Sequence, residues 1–123
     1  FILGKNLNDA LDRAEKYSKA GADLILIHSK LETPKEVFKF AKQFKKSKYY
    51  KPMVAVPSTY SKVTEKQLIK NGFKIVIYAN HLLRAAYPAM EKVAVNILKN
   101  KRSFEIEKNI ISIKKILNMI PSN

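Results

Sequence analysis

Three apolar runs in this chain end on groups that can do chemistry. "LILIHSK" at residues 24–30 stops on a histidine, "MVAVPSTY" at 53–60 on hydroxyls, and "IVIYANHLLR" at 75–84 on an amide, a second histidine and a guanidinium. His28 could act as a general acid or base, or as a positive charge beside an anionic ligand, because imidazole titrates near neutrality. A histidine that merely ends a strand in water reads the same way. Ser58 and Tyr60 offer hydroxyls to a substrate oxygen, although Pro57-Ser58-Thr59 is also an ordinary turn. Asn80 or His81 could cap a following helix, whose free amides attract phosphate or carboxylate. Arg84 would lie one turn further along, and a plain helix cap accounts for the same residues.

Other chemistries lack their residues. A hard cation needs several carboxylates facing one point. The chain has ten acidic residues, and only Glu32 closely follows the end of an apolar run. No metal site is therefore expected within it. The only glycines are Gly4, Gly21 and Gly72, which leaves no glycine-rich phosphate loop, and no Ser-His-acid or paired-carboxylate pattern can be read from spacing.

The elements that must position these groups alternate. A helix over 8–20 places Leu7, Ala10, Leu11, Ala14 and Tyr17 on one face, with Asn6 or Asn8 as cap and Gly21 as stop. "DLILI" at 23–27 reads as a strand covered on both faces. Thr33-Pro34 predicts the next helix start, with Val37, Phe38, Ala41 and Phe44 inward. A strand over 53–56, a short helix from a Thr64 cap to Gly72, and a strand over 73–79 follow. A long helix with Leu83, Ala86, Met90, Val93 and Ile97 as its stripe comes next, to be broken or kinked at Pro88. Ile106, Ile110, Ile113, Leu117 and Ile120 predict a last helix with a narrow apolar seam.

Strands joined by helical crossovers run parallel. Positions 28, 57 and 80 are separated by 29 and 23 residues, the size of single β/α units. The polar residues gather at the carboxyl ends of the strands, where parallel α/β folds bind ligands, whereas the strand starts carry only boundary residues such as Gly21, Pro52 and Gly72. Residues 1–100 are expected to form the β/α units and 101–123 a carboxyl-terminal helix.

Bulk properties narrow the classes. With 123 residues and 46% hydrophobic content, one packed domain is expected. The net charge of +14 invites a nucleic-acid partner, but 21 lysines stand against three arginines, and the lysines are spread over the helices. No apolar run approaches the ~20 residues of a membrane span. The absence of cysteine fits a cytoplasmic protein. Beginning on Phe1, the chain is expected to be part of something longer.

"ALDRAEKYSKAGADLILIHSK", "KPMVAVPSTY" and "IVIYANHLLRAA" together resemble, in order and spacing, the carboxyl-terminal half of the phosphoenolpyruvate phosphomutase family. That family belongs to the isocitrate lyase superfamily of (β/α)8 TIM barrels. The resemblance implies Mg²⁺-assisted interconversion of phosphoenolpyruvate and phosphonopyruvate, as in phosphonate biosynthesis. It makes His28 the active-site histidine of the sixth strand, which holds the migrating phosphoryl group. Ser58, Tyr60, Asn80 and Arg84 are further candidate substrate contacts on their position alone, at strand ends or just past them. The resemblance also implies that the metal-binding acids, the nucleophile and the gating loop lie upstream of Phe1, so that no metal is held here and the chain alone is inactive. The carboxyl-terminal helix would pack on, or swap with, a neighbouring subunit of a homo-oligomer. Phosphonopyruvate hydrolase shares the histidine, so hydrolysis stays open. The rival readings are a small flavodoxin-like α/β binding module, which would want about five strands, and a basic nucleic-acid module.

Overall fold

The computed structural model describes residue 4 and residues 6–119. Along the chain lie α1 (Leu7–Lys19), β1 (Ile25–Ile27), α2 (Lys35–Phe44), β2 (Met53–Ala55), α3 (Glu65–Lys70), β3 (Phe73–Val76), α4 (His81–Asn100), a 3₁₀ turn (Glu107–Asn109) and α5 (Ile113–Leu117). They fall into two compact units, one up to Ala79 and one from Asn80 onward.

In the first unit the three strands are parallel in the order β1-β2-β3, as the crossover argument requires. Ile25 pairs with Met53 and Ile27 with Ala55. Between β2 and β3 the register slips, so that Met53 faces Phe73 but Val54 faces Ile75, leaving Lys74 as the extra residue of a bulge.

Local sequence explains where each helix begins and stops. Asn6 caps α1 by accepting from the Asp9 amide at 3.0 Å. Thr64 and Gln67 form a reciprocal capping box on α3. Gly21 and Gly72 take positive φ, +103° and +92°, where the chain turns from helix to strand. On α2 the capping position belongs to Pro34 rather than Thr33, and no side chain caps it.

The core lies between the sheet and the helices. Ala10, Ala14, Ile25, Ile27, Phe40, Phe44, Met53, Ala55, Tyr60, Leu68 and Phe73 are all buried in it. The Phe40 and Phe44 rings stack at 5.4 Å. Full burial of such a side chain stabilises by roughly 1.5–3 kcal/mol. Two expectations shift by a residue or more. Phe40, not the half-buried Phe38, fills the inner side of α2. Tyr17 is 56% exposed, because the line that seats α1 runs through the small residues Ala10, Ala14 and Ser18, and a tyrosine is too large for that approach.

β1 is not covered on both faces as its apolar run suggested. Ile25 and Ile27 are buried against the helices while Leu24 and Leu26 are exposed, Leu26 by 54%. On β3, Ile75 is exposed on the same account. β1 and β3 each have one paired edge among the described residues. This is the expected form of an incomplete barrel: a closed helix-side core, an open strand face, and two free edges.

In the second unit α4 runs unbroken through Pro88. The missing amide leaves only the Arg84 carbonyl without its helical partner, and Arg84 is exposed, so water can serve it. None of the α4 stripe is buried; Leu83 and Met90 are exposed. The single helix expected over 106–120 is absent. Ser112 accepts from the Lys115 amide and so starts α5 afresh, while a 3₁₀ turn precedes it. Ile106 is buried, Ile110, Ile113 and Leu117 are exposed, and Ile120 lies outside the described residues.

Candidate functional site

The alternation of β1 continues past its last ladder residue. Leu24 and Leu26 face the open side and Ile25 and Ile27 the helices, and the half-exposed His28 and fully buried Ser29 follow in the same rhythm. His28 therefore belongs to the open face of the sheet, at the carboxyl end of β1. Ser29 belongs to the helix side.

Ser29 fixes this strand end in three directions. Its hydroxyl donates to the Glu36 carboxylate in the first turn of α2, in a short hydrogen bond. The same oxygen accepts from the Leu31 amide at 3.1 Å, which closes the turn after the strand. Its backbone carbonyl accepts from the Thr59 hydroxyl at 2.7 Å, which ties the ends of β1 and β2 together. Sequence reading gave Ser29 and Glu36 no role, and Thr59 only that of a hydroxyl or turn residue at the strand end. A serine directly after an apolar run, with a carboxylate seven residues on at a helix start, was the available signal.

Around this tie the structure groups three of the five proposed site residues. The His28 ring lies 6.2 Å from that of Tyr60, tilted by 49°. Its Nδ1 is shut off from solvent and has no hydrogen-bond partner among the described residues. The Ser58 hydroxyl is likewise buried without a partner. Tyr60 is completely buried, so it is a wall behind the site and part of the core rather than an open hydroxyl. Burial raises its phenol pKa above the ordinary value, opposed by the nearby Val56 backbone, although no hydrogen bond of normal geometry reaches the hydroxyl.

Asn80 and Arg84 belong to the second unit. Asn80 stands at the capping position of α4 without a side-chain capping bond; its carbonyl instead accepts from the Arg84 amide at 3.0 Å. Both side chains are exposed. The expected side-chain cap is thus replaced by backbone alone, which leaves the amide and the guanidinium uncommitted to capping.

Among the described residues no three His, Asp or Glu side chains converge. Of the two carboxylates that follow His28 in the connection to α2 and its first turn, Glu32 and Glu36, the second is taken up by Ser29. The residues present do not fit a Mg²⁺ centre. Among the described residues no helix is long and apolar enough to cross a membrane.

The family model for phosphoenolpyruvate phosphomutase matches residues 1–98. A phosphoenolpyruvate phosphomutase of Tetrahymena pyriformis is 37% identical over 97% of this chain and 39% of its own length. The crystal structure of phosphoenolpyruvate phosphomutase from Streptomyces platensis subsp. rosaceus superimposes with a TM-score of 0.81 at 37% identity, over 94% of this chain and 39% of that one. A phosphonopyruvate hydrolase in complex with oxalate and Mg²⁺ gives 0.81 at 36% identity, over 95% and 41%. The chain therefore spans about two-fifths of the length of the proteins it matches. Its three parallel strands and their helices are one part of the (β/α)8 barrel of these neighbours.

Proposed function

We propose that this chain, which belongs to the phosphoenolpyruvate phosphomutase family, is the carboxyl-terminal part of a cytoplasmic enzyme interconverting phosphoenolpyruvate and phosphonopyruvate. The observation that carries the reading is His28: an imidazole at a strand end, on the open sheet face, with a buried Nδ1 that has no partner among the described residues. In this reaction the P–C bond of phosphonopyruvate breaks and a P–O bond to the enolate oxygen forms, with no water consumed. Catalysis of phosphoryl transfer rests on positioning and on stabilising spread negative charge. His28 suits that task as a donor to a phosphoryl oxygen. Ser58 would donate from the neighbouring strand end, and Tyr60 would hold the imidazole from behind.

Asn80 and Arg84, one turn apart at the start of α4, carry an amide and a guanidinium of the kind that binds anionic groups. They are proposed as substrate contacts. The Mg²⁺ that assists the reaction would take its ligands from residues outside this chain, since no three donor side chains converge among the described residues. It follows from the proposal that the 123 residues alone are inactive. The segment after α4 is proposed to pack on a second copy, since Ile110, Ile111, Ile113 and Ile116 are exposed.

Hydrolysis of phosphonopyruvate is the second reading, favoured by a structural likeness to the hydrolase equal to that with the mutase. With the complete polypeptide, ³¹P NMR separates them. Phosphonopyruvate turning into phosphoenolpyruvate supports the mutase, whereas inorganic phosphate with pyruvate supports the hydrolase. Failure to consume phosphonopyruvate at all would overturn both.

A further inference from the structure

Charge in the first unit is distributed unevenly. Between Lys35 and Lys74 stand eleven of the 21 lysines and two carboxylates, Glu36 and Glu65. Both carboxylates are engaged locally, Glu36 by the Ser29 hydroxyl and Glu65 by that of Tyr78. Four of the lysines line one cleft of about 500 Å³ between α2 and the end of α3: Lys39, Lys42, Lys45 and Lys70, with Phe38 and Asn71. Among the described residues no carboxylate lines it, and none of the four lysines takes part in an ion pair.

The cleft is shaped as well as charged. Lys39, Lys42 and Lys45 recur every third residue, so their ammonium groups rise from one side of α2 and its end, where like charges repel. Lys45 lies flat across Gly72, so closely that a Cβ added there would fall 2.0 Å from its Cε. The bare glycine lets this lysine reach toward Lys70 and Asn71. Half-buried Phe38 supplies an apolar side to the same cavity. The end of α2 and the Gly72 turn both lie at the amino ends of the strands, away from His28 at the opposite end.

We propose that this cleft is a binding site for a small anion bearing several linked phosphate groups, such as inorganic triphosphate or the triphosphate of a nucleotide. Four exposed ammonium groups gathered on one lining that holds no carboxylate are complementary to a compact ligand carrying several negative charges. Ammonium groups suit phosphate oxygens as compact point charges, whereas planar carboxylates of an acidic peptide and guanine edges of DNA are better met by the forked guanidinium, of which the cleft has none. An open cleft confined to six residues also offers a small ligand more contact than it offers a polymer crossing the surface.

Isothermal titration of the intact protein with sodium triphosphate, in chelator and at two salt concentrations, tests this. Expected is saturable one-to-one binding that weakens as salt rises. The double variant Lys42→Gln/Lys70→Gln should lose about tenfold or more in affinity, and Lys92→Gln/Lys99→Gln on α4 should lose none. ATP binding as triphosphate does means that the phosphate chain alone is read; tighter binding of ATP identifies a nucleotide as the ligand. The proposal is overturned by the absence of saturable binding, or by an equal loss in both double variants. It is also overturned if a short DNA duplex binds more tightly with a steeper salt dependence, which would make the patch a nucleic-acid contact.

Discussion

The Thr59 hydroxyl donates to the Ser29 carbonyl across 2.7 Å, so the ends of β1 and β2 are held as one piece. The residue before Ser29 is His28, and the residue after Thr59 is Tyr60. Thr59→Val keeps the shape and removes the donor. It should cost about 1 kcal/mol in urea unfolding. In the complete enzyme it should also lower kcat by about tenfold, because small displacements of a positioned group are felt strongly in turnover. Unchanged kcat with the same loss of stability would make the tie purely structural.

Removing the imidazole tests the site itself. His28→Ala in the complete enzyme should reduce turnover of phosphonopyruvate by about 10²- to 10⁴-fold. Thermal unfolding should move little, since the side chain is half-exposed and anchors no core residue. Turnover within a factor of two of the parent would remove His28 from the mechanism.

Tyr60 makes stability fall in alkali. Its phenol holds its proton more tightly in the folded state than the ordinary value of 10.0, chiefly through burial. The contribution of the protonated phenol is therefore complete below pH 10 and is lost as pH rises through the folded-state value. Urea unfolding followed from neutral pH into this alkaline window should show a decline that is shallower in Tyr60→Phe. Parallel curves for the two proteins would contradict the assignment.

Gly72 holds φ at +92°, where a side chain is strained. Gly72→Ala should destabilise the chain by about 1–2 kcal/mol. The Lys45 side chain can swing aside, so the backbone carries most of that cost. A smaller loss, of a few tenths, would show that the turn relaxes instead.

Much of the first unit could be read from residues alone. Parallel strands, the Asn6 and Thr64 caps and the Gly21 and Gly72 stops follow from local chemistry, and each forms. What escaped depends on neighbours that local pattern does not reveal. An apolar run cannot say whether Leu26 is covered, because that depends on what stands beyond the strand. Heptad-like isoleucines between 106 and 120 suggested one helix, but Ser112 offers a hydroxyl to the backbone and restarts the chain there. At the site, His28 was visible as a polar stop on a strand. The Ser29–Glu36–Thr59 network that holds it was not, since it joins residues seven and thirty positions apart.

The alternating burial of β1 has an evolutionary corollary. Odd positions, Ile25, Ile27 and Ser29, answer to the helices; even positions, Leu24, Leu26 and His28, answer to whatever occupies the opposite face. Two selective pressures thus act on adjacent letters of one short segment without competing for the same residue. A descendant can exchange its even-numbered side chains for a new reaction while inheriting the odd-numbered scaffold unaltered, and a thermally adapted one can do the reverse.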